Sequence, residues 1–362
     1  MDFVDIGGRE VGPGRPVFVI AEAGINHNGC FETACQLVDA AAEAGADAVK
    51  FQTFTTDKLV TNGAACASYQ TRSAGYETQL AMLKHLELPF EEFRALKARA
   101  DRLGVVFLST VHTQDVLSFV DSIVPAHKVG SGDLTNTPLL KQIARCGKPV
   151  LLSTGMGTLD EVIEAVAVIR GEGNQQIVLL HCTSEYPCPR EDVNLNAIEA
   201  MRPLGCLLGY SDHTEGVEVP LMAARFGAIV IEKHFTLDRD MPGPDHRASL
   251  EPAELRDMIS LLRAGAYAST PITPDVLGPT TKAPTSREIE MAQLVRKSVV
   301  AVKDISAGEL LTLENLTVKR PGTGLPPKEL TKLIGGRARK TISKDALLQM
   351  ADVEMRPSRF SL

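Results

Sequence analysis

Short apolar runs alternate with amphipathic stretches along most of the chain. The stretches between the runs have helical spacing of apolar residues, and several end at glycine, as FETACQLVDAAAEAGA from Phe31 does. Apolar runs bounded by such helices are typical of parallel strands. The runs are VFVIAEAG, AVKFQT, VVFLST, HKVGS, PVLLSTG, IVLLHCTSEYP, LLGYSDH and IVIEKHF, beginning at Val17, Ala48, Val105, His127, Pro149, Ile177, Leu207 and Ile229.

Eight strands that are each followed by a helix predict an α/β fold of the (β/α)8 TIM-barrel type over roughly residues 15–268. The alternative is an open, doubly wound sheet, which commonly carries a GxGxxG motif after its first strand. No such motif follows the first apolar run of this chain. The pattern therefore favours the closed barrel.

The composition changes after residue 268. The segment STPITPDVLGPTTKAP, from Ser269, is rich in proline and threonine and indicates a linker. Beyond it, the sequence from Lys297 alternates apolar and polar residues and is interrupted by glycine and proline, which indicates short strands. We therefore predict a barrel domain at 1–268, a linker at 269–294 and a small β-rich domain at 295–362. By composition alone, this last part is equally well explained as a solvated appendage.

Polar residues stand at the carboxyl end of every predicted strand. In a parallel barrel these ends lie on one face, and that face carries the active site of barrel enzymes. A single polar strand end is usually a helix cap or a solvated rim, whereas eight of them favour a ligand site. The residues are Glu22, Lys50, Gln52, Ser109, Thr110, Lys128, Ser131, Ser153, Thr154, Thr183, Ser184, Ser211, His213, Glu232 and His234.

Two histidines end the last two predicted strands. Alternate residues of a strand share a face, so Ser211 lies with His213 and Glu232 lies with His234. Neighbouring strands are about 4.8 Å apart, which is close enough for the two imidazoles to bind one divalent cation. Either histidine alone is better explained by a hydrogen bond, but the pair favours a metal. Two imidazoles leave positions for water and substrate, as in catalytic sites.

Two lysines, Lys50 and Lys128, also lie near strand ends, where a buried amine requires an anionic partner. Lysines beside several hydroxyl groups indicate a cradle for phosphate and carboxylate, although hydroxyls are also common in plain loop caps. Lys233 has the opposite parity to His234, so we expect it to face the helices and to pair with a carboxylate there. The hydroxyl residues of the predicted cradle are Thr110, Ser131, Ser153 and Ser211.

Charge and composition exclude several classes of function. The formal net charge of -7 and the pI of about 5.7 provide no general basic surface for nucleic acid or an anionic membrane. No run reaches the roughly 18 apolar residues of a membrane span, and the first five residues lack the features of a signal peptide. The seven cysteines form no CxxC pair, which is typical of reduced thiols. We expect a cytoplasmic protein.

Six motifs together make the sequence similar to a known family. They are IAEAGINHNG (20–29), AVKFQT (48–53), HCTSEYP (181–187), GYSDHTEG (209–216), IEKHFTLD (231–238) and GPDHRASLEP (243–252). In this order they resemble the sialic acid synthases, which include bacterial N-acetylneuraminate synthases and their legionaminate and pseudaminate relatives. The resemblance implies condensation of phosphoenolpyruvate with an open-chain N-acylated amino sugar, with release of phosphate.

The resemblance also implies roles for individual residues. His213 and His234 would hold a divalent metal, usually Mn2+, with Mg2+ or Co2+ as alternatives, and Glu22 and Lys50 would join them in catalysis. Phosphoenolpyruvate would be surrounded by Lys50, Thr110, Lys128, Ser131, Ser153, Ser184 and Ser211. Some relatives carry Asn at the position of Ser184. The sugar and the reacting carbons would meet Glu22, Gln52, Tyr186, Glu232 and Asp245.

The C-terminal part resembles the antifreeze-like (SAF) domain of the same synthases, with KRPGTG at 319–324 as its strongest motif. In that family the domain crosses to the partner subunit and covers its barrel. The resemblance therefore implies a domain-swapped homodimer in which Arg320 reaches the neighbouring sugar site. A permanently charged, bidentate guanidinium suits a polyhydroxylated substrate or its acyl group.

Several alternatives remain open at this point. The first acceptor to consider is N-acetylmannosamine, and the alternative is a 2,4-diacetamido-6-deoxy hexose, as in legionaminate or pseudaminate synthesis. Keto-acid synthases with the same chemistry usually add a cysteine ligand to the metal, which brings Cys182 into consideration. From a different class, the SAF resemblance raises the possibility of an ice-binding or carbohydrate-binding protein. Paired histidines beside buried lysines argue against a simple binding module.

Overall fold

The prediction of a TIM barrel is confirmed. In the computed structural model, which describes residues 2–67, 70–71 and 75–355, eight parallel strands follow one another around a closed barrel, and the last strand pairs with the first. A short antiparallel hairpin, β1 (Val4–Ile6) and β2 (Arg9–Val11), precedes them. The barrel strands are β3 (Phe18–Gly24), β4 (Ala48–Thr53), β5 (Val106–Val111), β6 (His127–Val129), β7 (Val150–Ser153), β8 (Ile177–His181), β9 (Leu207–Asp212) and β10 (Val230–His234).

Helices surround the barrel, and their ends follow from local sequence. Gly45 and Gly104 end two of them in the left-handed conformation that glycine adopts without steric cost. Thr158 caps the start of another, because its hydroxyl accepts a hydrogen bond from the Glu161 N–H group. In the described residues, the helices of this part are Phe31–Ala44, Thr56–Leu59, Gln79–Leu86, Phe90–Leu103, Leu117–Ile123, Thr137–Arg145, Leu159–Gly171, Asn196–Met201, Glu218–Arg225 and Pro252–Arg263.

The alternation of side chains along each strand separates two apolar cores. One set of positions, such as Val49 and Phe51, packs against the helices. The other set, such as Ile20, Ala48 and Leu108, fills the interior of the barrel. The interior positions become polar towards the carboxyl ends of the strands. The floor of the site is therefore apolar and its walls are polar.

The amino-terminal hairpin closes the opposite end of the barrel. Val4, Ile6 and Val11 of β1 and β2 are buried and belong to the same apolar cluster as the interior side chains of the barrel strands. Their burial shields the interior from water at the end away from the polar strand termini. This hairpin was not predicted from the sequence.

The C-terminal part has its own core and small antiparallel sheets, as expected for the SAF domain. Its strands are β11 (Ser298–Ala301), β12 (Leu316–Lys319), β13 (Arg337–Ala338) and β14 (Val353–Glu354), with a short helix Leu330–Leu333. Twelve buried apolar residues, including Val299 and Leu333, form a cluster separate from the barrel cores. Residues 356–362 of the predicted domain lie outside the described residues.

The segment predicted as a linker contains the helix Ser286–Val295, which the proline-rich composition before it did not indicate. Before this helix the chain follows the barrel surface, because the N–H groups of Leu195 and Leu159 donate to the carbonyl oxygens of Val276 and Lys282. The boundaries at 268 and 294 stay predictions.

The C-terminal domain lies over the carboxyl end of the barrel. The Arg320 N–H group donates to the Leu59 carbonyl oxygen at 2.9 Å, and the Thr61 N–H group donates to the Arg320 carbonyl oxygen at 3.0 Å. The loop after β4 and the start of the KRPGTG motif thus pair like two strands. Across the parts of the chain that the structure describes, no helix combines the length and apolar character that crossing a membrane requires.

Candidate active site

Every site residue predicted from the sequence lines one cavity at the carboxyl ends of the barrel strands. The cavity has a volume of about 920 Å³, including open solvent at its mouth. Of the other polar strand ends, Ser109 faces away from the cavity and lies 2.7 Å from the Thr53 hydroxyl. The residues brought together are Glu22, Lys50, Gln52, Thr110, Lys128, Ser131, Ser153, Ser184, Tyr186, Ser211, His213, Glu232, His234, Asp245 and Arg320.

Two buried ammonium groups and two buried carboxylates form the centre of the cavity. Lys50 Nζ lies 2.5 Å from Glu22 Oε2 and 3.6 Å from Glu232 Oε2. Lys128 Nζ lies 3.5 Å from Glu232 Oε1. These four residues come from β3, β4, β6 and β10 and are each at most 4% exposed. Their formal charges cancel, which offsets the large cost of removing each from water.

Hydroxyl groups complete the contacts of the two lysines. Lys50 donates to Thr110 Oγ1 at 3.1 Å, and Lys128 donates to Ser153 Oγ at 2.8 Å. Ser211 in turn donates to Glu232 Oε1 at 2.7 Å. Three of the four hydroxyl residues of the predicted cradle, Thr110, Ser153 and Ser211, thus contact the charged centre.

The two carboxylates differ in their affinity for a proton. Burial acts to raise the pKa of Glu232, but the charges of Lys128 and Lys50 lower that pKa to about 2. Burial outweighs Lys50 at Glu22, and the neighbouring Glu232 adds to burial, so the pKa of Glu22 is raised. Lys50 faces both carboxylates and stays charged, since they outweigh burial and raise its pKa. Glu22 is therefore the carboxylate that takes up a proton first.

A glycine, missed in the sequence analysis, brings two serine hydroxyls together. A Cβ atom at Gly155 would lie 2.2 Å from Ser184 Oγ and 2.6 Å from Ser131 Oγ. The Gly155 N–H group donates to Ser131 Oγ at 3.1 Å. Position 155 therefore requires glycine, because any larger residue would collide with these two hydroxyl groups. Cys182 belongs to the same cluster, since its Sγ lies 3.1 Å from Ser131 Oγ. Burial raises the pKa of Cys182, so its side chain is a neutral thiol.

The two histidines meet as their parity predicts. The ring centroids of His213 and His234 are 5.5 Å apart, and the Tyr186 ring lies 4.1 Å from that of His213. Burial lowers the pKa of both imidazoles, so both are neutral near pH 7. His213 Nδ1 lies 2.7 Å from the Thr183 carbonyl oxygen, so Nδ1 carries the proton and Nε2 keeps its lone pair.

An acidic group stands beside this pair. Asp245 Oδ2 lies 4.0 Å from His234 Nδ1, which is buried without a hydrogen-bond partner among the described residues. Burial, with a smaller contribution from Glu22, raises the pKa of Asp245 to about 7. The two neutral imidazoles, the lone pair of His213 Nε2 and the nearby Asp245 carboxyl group are ligands that a divalent cation can bind.

A second cluster of possible metal ligands lies elsewhere. Ligand atoms of Asp121, His127 and Cys146 lie within 4.8 Å of one another. His127 has the parity of Val129, which packs in the layer between barrel and helices, and not that of Lys128, which faces the cavity. Lys148 Nζ already lies 3.1 Å from Asp121 Oδ1, so the carboxylate has a cationic partner.

A chain of contacts that sequence reasoning missed joins the charged centre to the C-terminal part. Lys297 Nζ lies 2.8 Å from Asp133 Oδ1, and Asp133 Oδ2 lies 3.6 Å from His112 Nδ1. His112 Nε2 lies 3.2 Å from Gln52 Oε1, and Gln52 donates to Glu22 Oε1 at 3.1 Å. His112 lies two residues after the strand-end Thr110 and so has the same parity, which was the available signal.

The opposite parity of Lys233 is also confirmed. Its ammonium group is fully buried and forms an ion pair with Asp212 of the neighbouring strand, and it donates to the carbonyl oxygen of Thr214. Lys233 therefore belongs to the scaffold behind the histidines rather than to the cavity.

Comparison with known proteins agrees with this geometry. The model of the NeuB family matches residues 37–270, and that of the SAF domain matches residues 296–354. The chain belongs to the NeuB family. It is 41% identical over 350 residues to N,N'-diacetyllegionaminic acid synthase of Legionella pneumophila, covering 95% of this chain and 96% of the relative.

Two solved structures support the same assignment for this NeuB-family chain. The spore coat polysaccharide biosynthesis protein SpsE of Bacillus subtilis has a TM-score of 0.85 and 35% identity, covering 98% of this chain and all of the other. The N-acetylneuraminic acid synthetase of Leptospira borgpetersenii, in complex with citrate, has a TM-score of 0.65 and 32% identity. It covers 80% of this chain and 96% of the other.

The buried charges of this NeuB-family site lead to a test of stability. Replacement Glu232→Gln leaves Lys50 and Lys128 with one carboxylate between them, so we expect the free energy of unfolding to fall by about 3 kcal/mol. Urea unfolding followed by circular dichroism measures the change, and inorganic phosphate should restore part of it by supplying the missing negative charge.

The matched control is Glu164→Gln, which removes the exposed partner of Lys328, 3.0 Å away. Exposed ion pairs contribute little, so this variant should unfold like the unmodified chain. Equal stability of the Glu232 and Glu164 variants would contradict the importance of the buried charges.

Proposed function

We propose that the protein condenses phosphoenolpyruvate with the open-chain form of an N-acylated amino sugar, giving a nine-carbon 2-keto sugar acid and phosphate. The observation that carries this proposal is the buried Lys50–Lys128 pair beside two neutral histidines in one cavity. The lysines suit an anionic substrate and the histidines suit a cation that binds a carbonyl oxygen. Membership of the NeuB family supports the same reaction. We propose that it takes place in the cytoplasm.

Phosphoenolpyruvate is proposed to bind at the lysine-and-hydroxyl cradle. Lys50 and Lys128 would contact its carboxylate and phosphate, and the serines around Gly155 would donate to phosphate oxygens. Burial lowers the pKa of Lys128 in the absence of ligand, and an arriving anion favours its charged form. A bound anion would therefore keep Lys128 charged. The cradle would hold phosphoenolpyruvate with its C3 towards the sugar.

His213 and His234 are proposed to hold a divalent cation, with Mn2+ first and Mg2+ or Co2+ as alternatives. Their neutral rings and the Nε2 lone pair of His213 fit such an ion. When bound, the cation supplies a Lewis acid that polarises the sugar aldehyde. Tyr186 packs on the His213 ring and, with Asp245, would contact the sugar.

Glu22 is proposed to position the attacking water or to move a proton. C3 of phosphoenolpyruvate forms a bond to the aldehyde carbon, water adds at C2, and the C2–oxygen bond to phosphate then breaks. The water oxygen becomes the C2 keto oxygen and gives up two protons, one to the aldehyde oxygen and one to the departing phosphate. Glu22 suits this exchange because burial raises its pKa and because Gln52 fixes one of its oxygens.

Two acceptors are proposed. The first is N-acetylmannosamine, which would give N-acetylneuraminate. The alternative is a 2,4-diacetamido-6-deoxy hexose, which would give legionaminate or pseudaminate. The alternative, with legionaminate as product, is supported by the 41% identity to the Legionella synthase and by apolar side chains in the cavity wall. A second acyl group and a methyl group would replace water at that wall, which is formed by Ile25, Met82, Leu83, Met291 and Val295.

Phosphate release from phosphoenolpyruvate tests the proposed reaction. We expect release with a divalent cation only when a suitable amino sugar is present, because C3 attack precedes loss of phosphate. The assay compares N-acetylmannosamine, its 6-phosphate and 2,4-diacetamido-6-deoxy hexoses under one set of conditions. Inactivity with all of them would remove the assignment, and the ratios of kcat/KM identify the acceptor.

The proposed metal site has its own test. Replacement His213→Ala removes one of two imidazoles, so we expect the affinity for Mn2+ to fall by more than about tenfold and turnover to be lost. Electron paramagnetic resonance of free Mn2+ measures binding, and circular dichroism checks the fold. His127→Ala, in the second cluster, is the control and should bind Mn2+ normally. Unchanged Mn2+ binding by the His213 variant would contradict the site.

The assembly is proposed to be a homodimer with exchanged C-terminal domains. In the single chain, Arg320 lies over the barrel of its own chain, where it contacts Leu59 and Thr61 and donates to Gln79 Oε1 at 3.2 Å. Exchange of an identical domain reproduces such contacts between two chains. Arg320 lies in the wall of the cavity, which supports a contact with the sugar whether the domain covers its own barrel or that of the partner chain.

Replacement Arg320→Ala should raise the KM for the sugar by about tenfold and leave Mn2+ affinity unchanged, since a guanidinium contact to substrate is lost. Steady-state kinetics with each substrate varied in turn measure the effect. An unchanged sugar KM would mean that the domain does not contact the acceptor.

Co-expression of the Arg320→Ala and His213→Ala chains tests exchange. An exchanged dimer combines the intact barrel of one chain with the intact domain of the other. At sugar concentrations well below the KM, where the Arg320→Ala chain alone is nearly inactive, about a quarter of the normal kcat/KM should therefore return. Absence of recovered activity would contradict exchange and would leave each domain on its own barrel.

A further inference from the structure

The helix Ser286–Val295 contacts two loops that carry the proposed phosphate-binding groups. Glu288 Oε1 accepts a hydrogen bond from the Met156 N–H group at 2.7 Å and another from the Ser184 N–H group at 2.9 Å. The two loops follow β7 and β8 and are separate in sequence. One carboxylate oxygen outside the barrel thus joins the two loops that carry Gly155 and Ser184.

The remaining contacts of Glu288 fix the carboxylate itself. Its side chain is 2% exposed, and Oε2 accepts a hydrogen bond from the Thr285 N–H group at 3.1 Å. The Thr285 hydroxyl accepts from the Glu288 N–H group at 3.1 Å, which completes a capping box. Glu288 therefore has two separable sets of contacts: Oε2 caps its own helix, and Oε1 holds the two loops.

The contacts at Oε1 determine where two groups of the cradle stand. The Ser184 N–H group is fixed by Glu288, and the Ser184 hydroxyl lies against Gly155, the residue before Met156. Met156 is a non-glycine residue with φ of 59°, a conformation that costs about 1 kcal/mol or more and persists only where surrounding contacts offset that cost. The hydrogen bond to Glu288 is such a contact, because it holds the Met156 N–H group in this turn.

We propose that Glu288 is a positioning residue for phosphate: its carboxylate holds the loops of Gly155 and Ser184 so that their polar groups converge on the phosphate of the substrate. The carboxylate acts through backbone N–H groups and does not contact substrate. The buried Lys282 ammonium group provides an opposite charge near Glu288, which reduces repulsion between this carboxylate and a bound phosphate. This inference rests on the proposed function for the identity of the anion.

The two sets of contacts can be tested separately. Glu288→Ala removes both, Glu288→Gln keeps an oxygen acceptor for the two N–H groups, and Thr285→Ala removes only the hydroxyl of the helix cap. We expect Glu288→Ala to raise the KM for phosphoenolpyruvate by about tenfold, with the sugar KM unchanged. Glu288→Gln should stay within about threefold of the unmodified chain, because a neutral amide oxygen still accepts both bonds. Thr285→Ala should leave the KM for phosphoenolpyruvate unchanged.

Inorganic phosphate provides a probe that does not depend on the reaction. Calorimetric titration of the full chain should show about tenfold weaker phosphate binding by the Glu288→Ala variant, restored in Glu288→Gln. If Glu288→Ala fails to fold, Glu288→Met keeps the side-chain length without an acceptor and takes its place.

Unchanged phosphate affinity in these variants would overturn the positioning role, as would equal losses in the Thr285→Ala variant, which would reduce Glu288 to a helix cap. If the unmodified chain released no phosphate with any sugar, the proposed reaction would fail. Weaker phosphate binding in the variant would then still support the positioning role.

Discussion

The structure depends on the mutual neutralisation of four charged groups inside a barrel. Lys50, Lys128, Glu22 and Glu232 are each almost fully removed from water, and any one of them alone would be expensive to bury. Together they tie β3, β4, β6 and β10 to a common centre. The proposed anionic substrate would enter a site whose cations are already in place, so its phosphate would bind with little rearrangement of the protein.

The same constraint explains why the two halves of the cavity differ. On one side, charges and serine hydroxyls surround a small volume that Gly155 keeps open. On the other side, neutral histidines, Tyr186 and apolar side chains leave room for a longer, less charged molecule. The strands supply the charged half, whereas the segments outside the barrel contribute much of the other half. Variation of acceptor within such a family can therefore occur without disturbing the charged centre.

Strand parity made the barrel and most of the site predictable from sequence. Residues two apart share a face, so the contact of His213 with His234 and the outward position of Lys233 followed from counting. The contacts that could not be predicted join residues that are far apart in the sequence. Contacts of Lys297 with Asp133 and of Glu288 with Ser184 join residues more than a hundred positions apart, and no local pattern indicates them. The hairpin β1–β2 was missed because strands of three residues carry too little periodicity.

The amino-terminal hairpin determines at which end of the barrel small molecules can enter and leave the cavity. Because Val4, Ile6 and Val11 fill the lower opening, molecules pass in and out at the upper rim, where the C-terminal domain rests. The proposed nine-carbon product would leave past Arg320 and the backbone hydrogen bonds that join it to Leu59 and Thr61. Release of the proposed product would therefore require the C-terminal domain to move at this rim, and the rate of that movement would set an upper limit on turnover.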